Sequence, residues 1–154
     1  MLETPHVVVG AAIATKIGNP ALAIPLSFLS HFVLEKIPHW NPHLRTEKLT
    51  LGKISRQSTQ IVIADSLLSL TLGSFIASRA LPDANHAIVI LLSCFAAVLP
   101  DLIEAPYYFL NNHSDFIEKK WIPFKKSIQV DTSPLPGLAT QAVTVLAALW
   151  WILA

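Results

Sequence analysis

The chain has little charge, little glycine and a single cysteine. Only 14% of its 154 residues are Asp, Glu, Lys or Arg, whereas soluble domains average about 25%. Cys94 has no second cysteine to pair with, which excludes a disulfide within the chain. Five glycines and no glycine-rich motif argue against a phosphate-binding loop. The net charge of +1 gives no electrostatic reason to expect nucleic acid as a partner.

Apolar residues are abundant. They make up 53% of the chain, and its mean hydropathy is +0.53. Five apolar segments cover about Pro5–Ile17, Pro20–Ile37, Gln57–Ala80, Asp83–Leu110 and Leu135–Ala154. The last three approach the roughly 20 residues that cross a bilayer core of about 30 Å. We therefore predict an all-α integral membrane bundle of four to five helices, forming a single domain over residues 1–154. The alternative is a compact soluble all-α domain with an unusually apolar core.

The first two segments are too short to span a bilayer easily. They form either an embedded hairpin or buried helices that the other segments screen. Thr4 is the predicted N-cap of the first helix, with Pro5 at its first position, and Gly18-Asn19 is its stop signal. No positively charged region precedes this helix, so we do not expect a cleaved signal peptide.

Two long polar connections, about Pro38–Arg56 and Asn111–Pro134, lie on the same side of the membrane if all five segments cross. Their side carries most of the basic residues: Lys36, Arg45, Lys48, Lys53, Arg56, Lys119, Lys120, Lys125 and Lys126. The opposite side has only Lys16 and Arg79. The positive-inside rule places the long connections and the N-terminus in the cytoplasm.

The second connection interleaves Phe116, Trp121 and Phe124 with four of those lysines. Aromatic rings among lysines suit a segment that lies at the interface of an anionic leaflet. An ordinary solvated loop with a few packing aromatics explains the pattern equally well.

His31, Glu35 and His39 follow one another at intervals of four residues at the end of the second segment. On a helix this spacing stacks the three side chains along one face, and Pro38 indicates that His39 leans in from the following loop. Two imidazoles and a carboxylate are typical ligands of zinc. Histidines at a membrane interface can also simply be solvated.

Three further polar residues belong to the same half of the bundle: His6, Asp65 and Asp101. A charged residue at the centre of a transmembrane helix costs about 2.5–3.5 kcal/mol on insertion scales, so such residues mark functional sites. Asp65 could instead cap a neighbouring helix, and Asp101 could be an N-cap after a break at Pro100. Taken together, the six residues predict one shared metal site.

Three motifs resemble known sequences. Thr4-Pro5-His6-Val-Val-Val-Gly10 is similar to the opening of bacterial membrane-bound metal-dependent hydrolases of the YdjM type. The segment from Leu29 to Trp40 resembles an "sHfllD-iPHw" stretch of small membrane proteins, with Glu35 in place of Asp. Leu99-Pro100-Asp101 resembles the Leu-Pro-Asp motif of the same group, without the Asp-His that follows there. That group has been compared with zinc-dependent phospholipase C and P1 nuclease proteins.

The resemblance supports a metal site. The leading hypothesis is a hydrolase in the bacterial inner membrane that acts on phosphoesters such as lipid head groups. In this hypothesis one or more zinc ions are bound by His6, His31, His39 and Asp101, with Asp65 as a further ligand. Glu35 is then a ligand or the general base, and Asp65 shares the catalytic work. Two alternatives stay open: a protein that binds or transports metal ions or protons, and a structural or assembly subunit. The sequence leaves the oligomeric state open.

Overall fold

The computed structural model describes all 154 residues and confirms the all-α prediction. Its helices are α1 Glu3–Ile17, α2 Pro20–Leu34, α3 Leu44–Leu51, α4 Arg56–Ser78, α5 Ala84–Leu102, α6 Ala105–Phe109, α7 Ile122–Ile128 and α8 Pro134–Leu153. A π-helical turn, Ile117–Trp121, leads directly into α7. No β-strand forms, and a single bridge joins His39 to Asp131.

The first helix is the centre of the bundle. It packs against α2, α4, α5 and α8, and Val8, Ala11, Ala12 and Ala14 are fully buried on it. A helix that is apolar on all sides is expected where other helices surround it. The first of the two short segments is therefore buried behind the other helices, whereas the second, α2, exposes Leu22, Leu29 and Val33 on its outer side.

Small residues let the helices approach the central one closely. A Cβ atom on Gly10 would lie 2.8 Å from the backbone oxygen of Ser93, and one on Gly73 would lie 2.9 Å from Val7 Cγ1. Helix pairs in membranes characteristically pack through such small residues, because lipid offers no hydrophobic force that drives helices together. Gly10 and Gly73 thus set the distance from α1 to α5 and α4.

The outer surface is apolar, and three helices (α4, α5 and α8) are long and apolar enough to span a membrane. Only 17% of the most apolar stretch of α8 is buried within the protein. Exposed side chains on it include Leu146 and Trp150, and α4 exposes Leu70 and Phe75. Soluble monomers rarely expose apolar surface on this scale, so the structure favours a membrane protein over a soluble domain.

Some predicted boundaries are wrong. The first helix begins at Glu3, after Leu2, so Thr4 is not its N-cap. Its predicted stop is confirmed, since Gly18 takes a positive φ of 66° and its N–H bonds to Ala14. The fourth segment is interrupted, since α5 continues through Pro100 but α6 forms separately. The long connections also contain helices, namely α3 in the first and α7 in the second.

The polar ends of the long helices meet at one end of the bundle. The start of α1 bonds to side chains in the N-terminal halves of α4 and α8, through Glu3 N–H to Asp65 and Leu2 N–H to Gln141. The ends of α2 and α5 join them there. We call this the polar end, and it is the half in which the sequence analysis placed the shared site.

Candidate metal centre

Three helices bring His6, His31 and Asp101 together at the polar end. One potential ligand atom from each residue lies within 4.8 Å of the others. The two imidazole rings stack with centroids 4.1 Å apart, and both side chains are fully buried. The structure therefore brings three of the six predicted residues into one group with the size and chemistry of a metal site.

Three of the four histidine ring nitrogens in this group lack the partners that buried polar atoms normally have. His31 Nδ1 lies 2.9 Å from the carbonyl oxygen of Ala97, which can only accept, so Nδ1 carries the proton. Its Nε2 then presents a lone pair 3.8 Å from Asp101 Oδ1 and makes no hydrogen bond. Neither ring nitrogen of His6 makes a hydrogen bond. Because unsatisfied buried polar atoms are rare, a coordinated cation fits this donor set.

Glu35 and His39 lie beside this group. Glu35 follows α2 directly, and its two carboxylate oxygens are 3.4 Å from His6 Nε2 and 3.8 Å from His39 Nε2. The same carboxylate also pairs with the amino group of Met1. Glu35 therefore connects His39 to the His6–His31–Asp101 group.

A loop holds His39, as the sequence predicted. Its backbone N–H donates to Val130, and its carbonyl accepts from Thr132. Its Nδ1 lies 2.7 Å from the carbonyl oxygen of Ile37, which leaves Nε2 directed at Glu35 and at Gln129, 3.2 Å away. Burial lowers the pKa of His39, which keeps its ring in the neutral form that binds metals.

Asp65 caps the first turn of α1. Its carboxylate accepts from the N–H groups of Glu3 at 2.5 Å and Thr4 at 3.3 Å, and from the Thr4 hydroxyl at 2.6 Å. This is the capping role that the sequence analysis kept as an alternative. The structure does not bring Asp65 into the His6–His31–Asp101 group, and its role as a ligand or catalytic group stays a prediction.

Lys125 is the site residue that the sequence analysis misplaced. The sequence grouped it with the other lysines of the second connection, in either an interfacial segment or a solvated loop, but only 6% of it is exposed. Its ammonium group pairs with Asp101 and lies 3.3 Å from Glu104 Oε1. Burial lowers its pKa to about 8. Lys125 lies three residues after the buried Ile122 on α7, and residues at this spacing share one face of a helix. This spacing was the sequence signal that Lys125 faces inward.

A cavity of about 220 Å³ lies in front of the site. Its lining includes Glu35, Asp101, Glu104, Arg45, Lys125 and Tyr108. Residues 41–46 of the first long connection form one wall. The cavity gives a small molecule access to Asp101 and Glu35, whereas His6 and His31 lie behind it.

The aromatic segment of the second connection is partly packed and partly exposed. Trp121 donates its indole N–H to the carbonyl oxygen of Pro100 at 3.1 Å, and its ring contacts Phe32. Phe116 and Phe124 are 56% and 51% exposed. Trp121 thus anchors the segment to the end of α5, while the other two rings remain available to a lipid surface.

Fold and site together define a helical bundle with an apolar outer surface suited to a membrane and a buried histidine–carboxylate cluster at one end. No protein-family model, curated protein or solved structure matches the chain. The likeness to hydrolases of the YdjM type therefore rests on the three motifs alone. The function has to be argued from the geometry of the site.

Proposed function

We propose that the chain is a membrane-embedded, metal-dependent hydrolase of phosphoesters, with lipid head groups as its substrate class. One observation carries the proposal. Two fully buried histidines on different helices present ring nitrogens without hydrogen-bond partners, and these converge with Asp101 within 4.8 Å. A purely structural cluster would leave those nitrogens unsatisfied.

His6, His31 and Asp101 would hold the ion, for which zinc is the best match to two imidazoles and a carboxylate. A bound divalent ion lowers the pKa of a coordinated water to about 7 and polarises a phosphoryl oxygen. Glu35 is placed to accept a proton, since its carboxylate lies 3.4 Å from His6 Nε2 and lines the cavity. Asp65 fixes the first turn of α1 and thereby positions His6 one turn on.

Three cationic side chains in the cavity lining, those of Arg45, Lys125 and Lys126, can attract phosphate oxygens, although Glu3, Glu35, Asp65, Asp101 and Glu104 line the same cavity. A bound divalent ion would add positive charge for an anionic ester. The basic connections and the exposed rings of Phe116 and Phe124 support contact between the polar end and anionic lipid. Together with the positive-inside rule, this contact supports our proposal that the polar end and the N-terminus face the cytoplasm at a bacterial inner membrane.

The distribution of buried charge favours a hydrolase over a transporter. Every buried acidic, basic or histidine side chain is at the polar end: His6, His31, Glu35, His39, Asp65, Glu104 and Lys125. The remainder of the central helix contributes apolar side chains such as Val8, Ala11 and Ala14 to the core. A path for ions or protons would need polar groups on both sides of the midplane.

Metal content of the detergent-purified protein tests the proposal. We expect near-stoichiometric zinc in the wild type, and loss of zinc in His31→Ala and Asp101→Ala with the helical fold retained. His113→Ala is the matched control, because His113 is exposed and its one ion pair is with Glu118. Wild-type protein that takes up no metal even after incubation with zinc would exclude the hydrolase.

A further inference from the structure

We propose that Lys125 and the metal ion compete for Asp101, so that this buried lysine sets the metal affinity of the centre. The inference rests on the metal site proposed above. It assigns Lys125 a role that separates it from the other lysines of the second connection.

The Lys125 ammonium group and the metal ion compete because both require the same carboxylate, that of Asp101. The Lys125 ammonium pairs with Asp101 Oδ1, and the same oxygen lies 3.8 Å from His31 Nε2. A metal ion held by His31 and Asp101 would therefore lie next to a fixed positive charge. Two cations on one carboxylate repel each other, and the burial of Lys125, which is only 6% exposed, limits the screening of this repulsion by water.

Glu104 gives the lysine a second position. Its Oε1 is buried, makes no hydrogen bond and lies 3.3 Å from the Lys125 ammonium. Since Lys125 is only 6% exposed, solvent is not an easy alternative for its charge. Entry of the metal would thus transfer Lys125 from Asp101 to Glu104, at the wall of the cavity where an anionic substrate would bind.

The backbone that carries Lys125 is fixed, so the exchange needs only a side-chain movement. Ile122, one turn earlier on α7, is buried, and the indole of Trp121 bonds to Pro100 next to Asp101. The lysine therefore cannot leave the site by displacement of the whole segment without breaking these contacts.

Zinc titration of the chelator-treated full chain in detergent tests the proposal, with affinity and thermal stability as readouts. We expect Lys125→Met to bind zinc at least about tenfold more tightly than the wild type, or about 1.4 kcal/mol. Its Tm without zinc should fall, because Asp101 and Glu104 lose their cation, and its rise on zinc addition should exceed that of the wild type. Lys126→Met is the control, since Lys126 lines the same cavity but pairs with Asp131, and its zinc affinity should be unchanged.

Glu104→Gln should change the zinc affinity in the opposite direction. It removes the second position of the lysine, so zinc binding should weaken while the Asp101 pair persists. If Lys125→Met does not fold, Lys125→Gln replaces it in the titration. A folded Lys125 variant that binds zinc no more tightly than the wild type would overturn the exchange and leave the metal site standing. Absence of zinc binding in the wild type, in the Lys125 variant and in Lys126→Met would overturn the metal site itself.

Discussion

Asp65 and Thr4 are joined by a 2.6 Å hydrogen bond between the α4 carboxylate and the α1 hydroxyl, across 61 positions of sequence. The same carboxylate accepts the N–H of Glu3. Helix N-termini leave such donors unsatisfied, and a carboxylate there also complements the helix dipole. This contact fixes the start of the helix that carries His6, so the geometry of the site depends on a residue outside its ligand group.

Replacing Asp65 distinguishes a cap from a ligand. Asp65→Ala removes the carboxylate that accepts from the N–H groups of Glu3 and Thr4, and loss of a cap costs about 0.5–2 kcal/mol of stability. Asp65→Asn keeps one acceptor oxygen and should retain most of the stability and all of the zinc. Chemical denaturation and metal content of the two variants provide the measurement. An Asp65→Asn protein of wild-type stability that has lost its zinc would show that Asp65 is a ligand after all.

Periodicity and composition were sufficient to predict the five apolar helices α1, α2, α4, α5 and α8, because long apolar segments bounded by proline and glycine leave few alternatives. They did not reveal the short helices α3 and α7 within the polar connections. The convergence of His6, His31 and Asp101 was also predictable, since charged groups in apolar helices must share a polar environment. The role of Lys125 was not. Whether a lysine in a polar connection is solvated or buried depends on how that connection folds back, and a local pattern does not encode the contact with Asp101.

Asp65 shows a second limit of the sequence. Its carboxylate fits a metal ligand and a helix cap equally well, and only the position of α1 relative to α4 favours the cap. The boundary of α1 was misjudged for a related reason. Thr4 has the residue type of an N-cap, but the acceptor that satisfies the first turn comes from another helix.

The stability of the first long connection should depend on pH through Glu47. Hydrogen bonds from the Ser58 hydroxyl and the Ser55 backbone N–H lower the pKa of Glu47. Because its folded pKa is below its unfolded value, the unfolded chain binds the proton first as pH falls. Glu47 therefore stabilises the fold at neutral pH, and this contribution is lost as pH falls through the lowered pKa.

Glu47→Gln should consequently flatten the dependence of Tm on pH in the acid range and lower Tm at neutral pH. Thermal unfolding of wild type and variant over a pH series measures both effects. Glu118→Gln is a suitable control, because Glu118 pairs with the exposed His113 on the other connection. Parallel Tm curves for wild type and Glu47→Gln would contradict the predicted role of the hydrogen bonds.

Gly137 should control the position of His39, although it is distant in sequence. A Cβ atom at Gly137 would lie 2.7 Å from Trp40 Cβ and 2.9 Å from the carbonyl carbon of His39. These are backbone and Cβ neighbours that cannot rotate away, so Gly137→Ala must push the His39 loop off α8. Overpacking of this kind costs about 1–3 kcal/mol. We expect a lower Tm and weaker zinc binding, because the loop also positions His39 beside Glu35.

Ala139→Leu is the control for this prediction. It adds a larger group on the exposed side of the same helix and should change neither the Tm nor the zinc affinity. Wild-type zinc affinity in a destabilised Gly137→Ala protein would show that His39 makes no contribution to the metal centre.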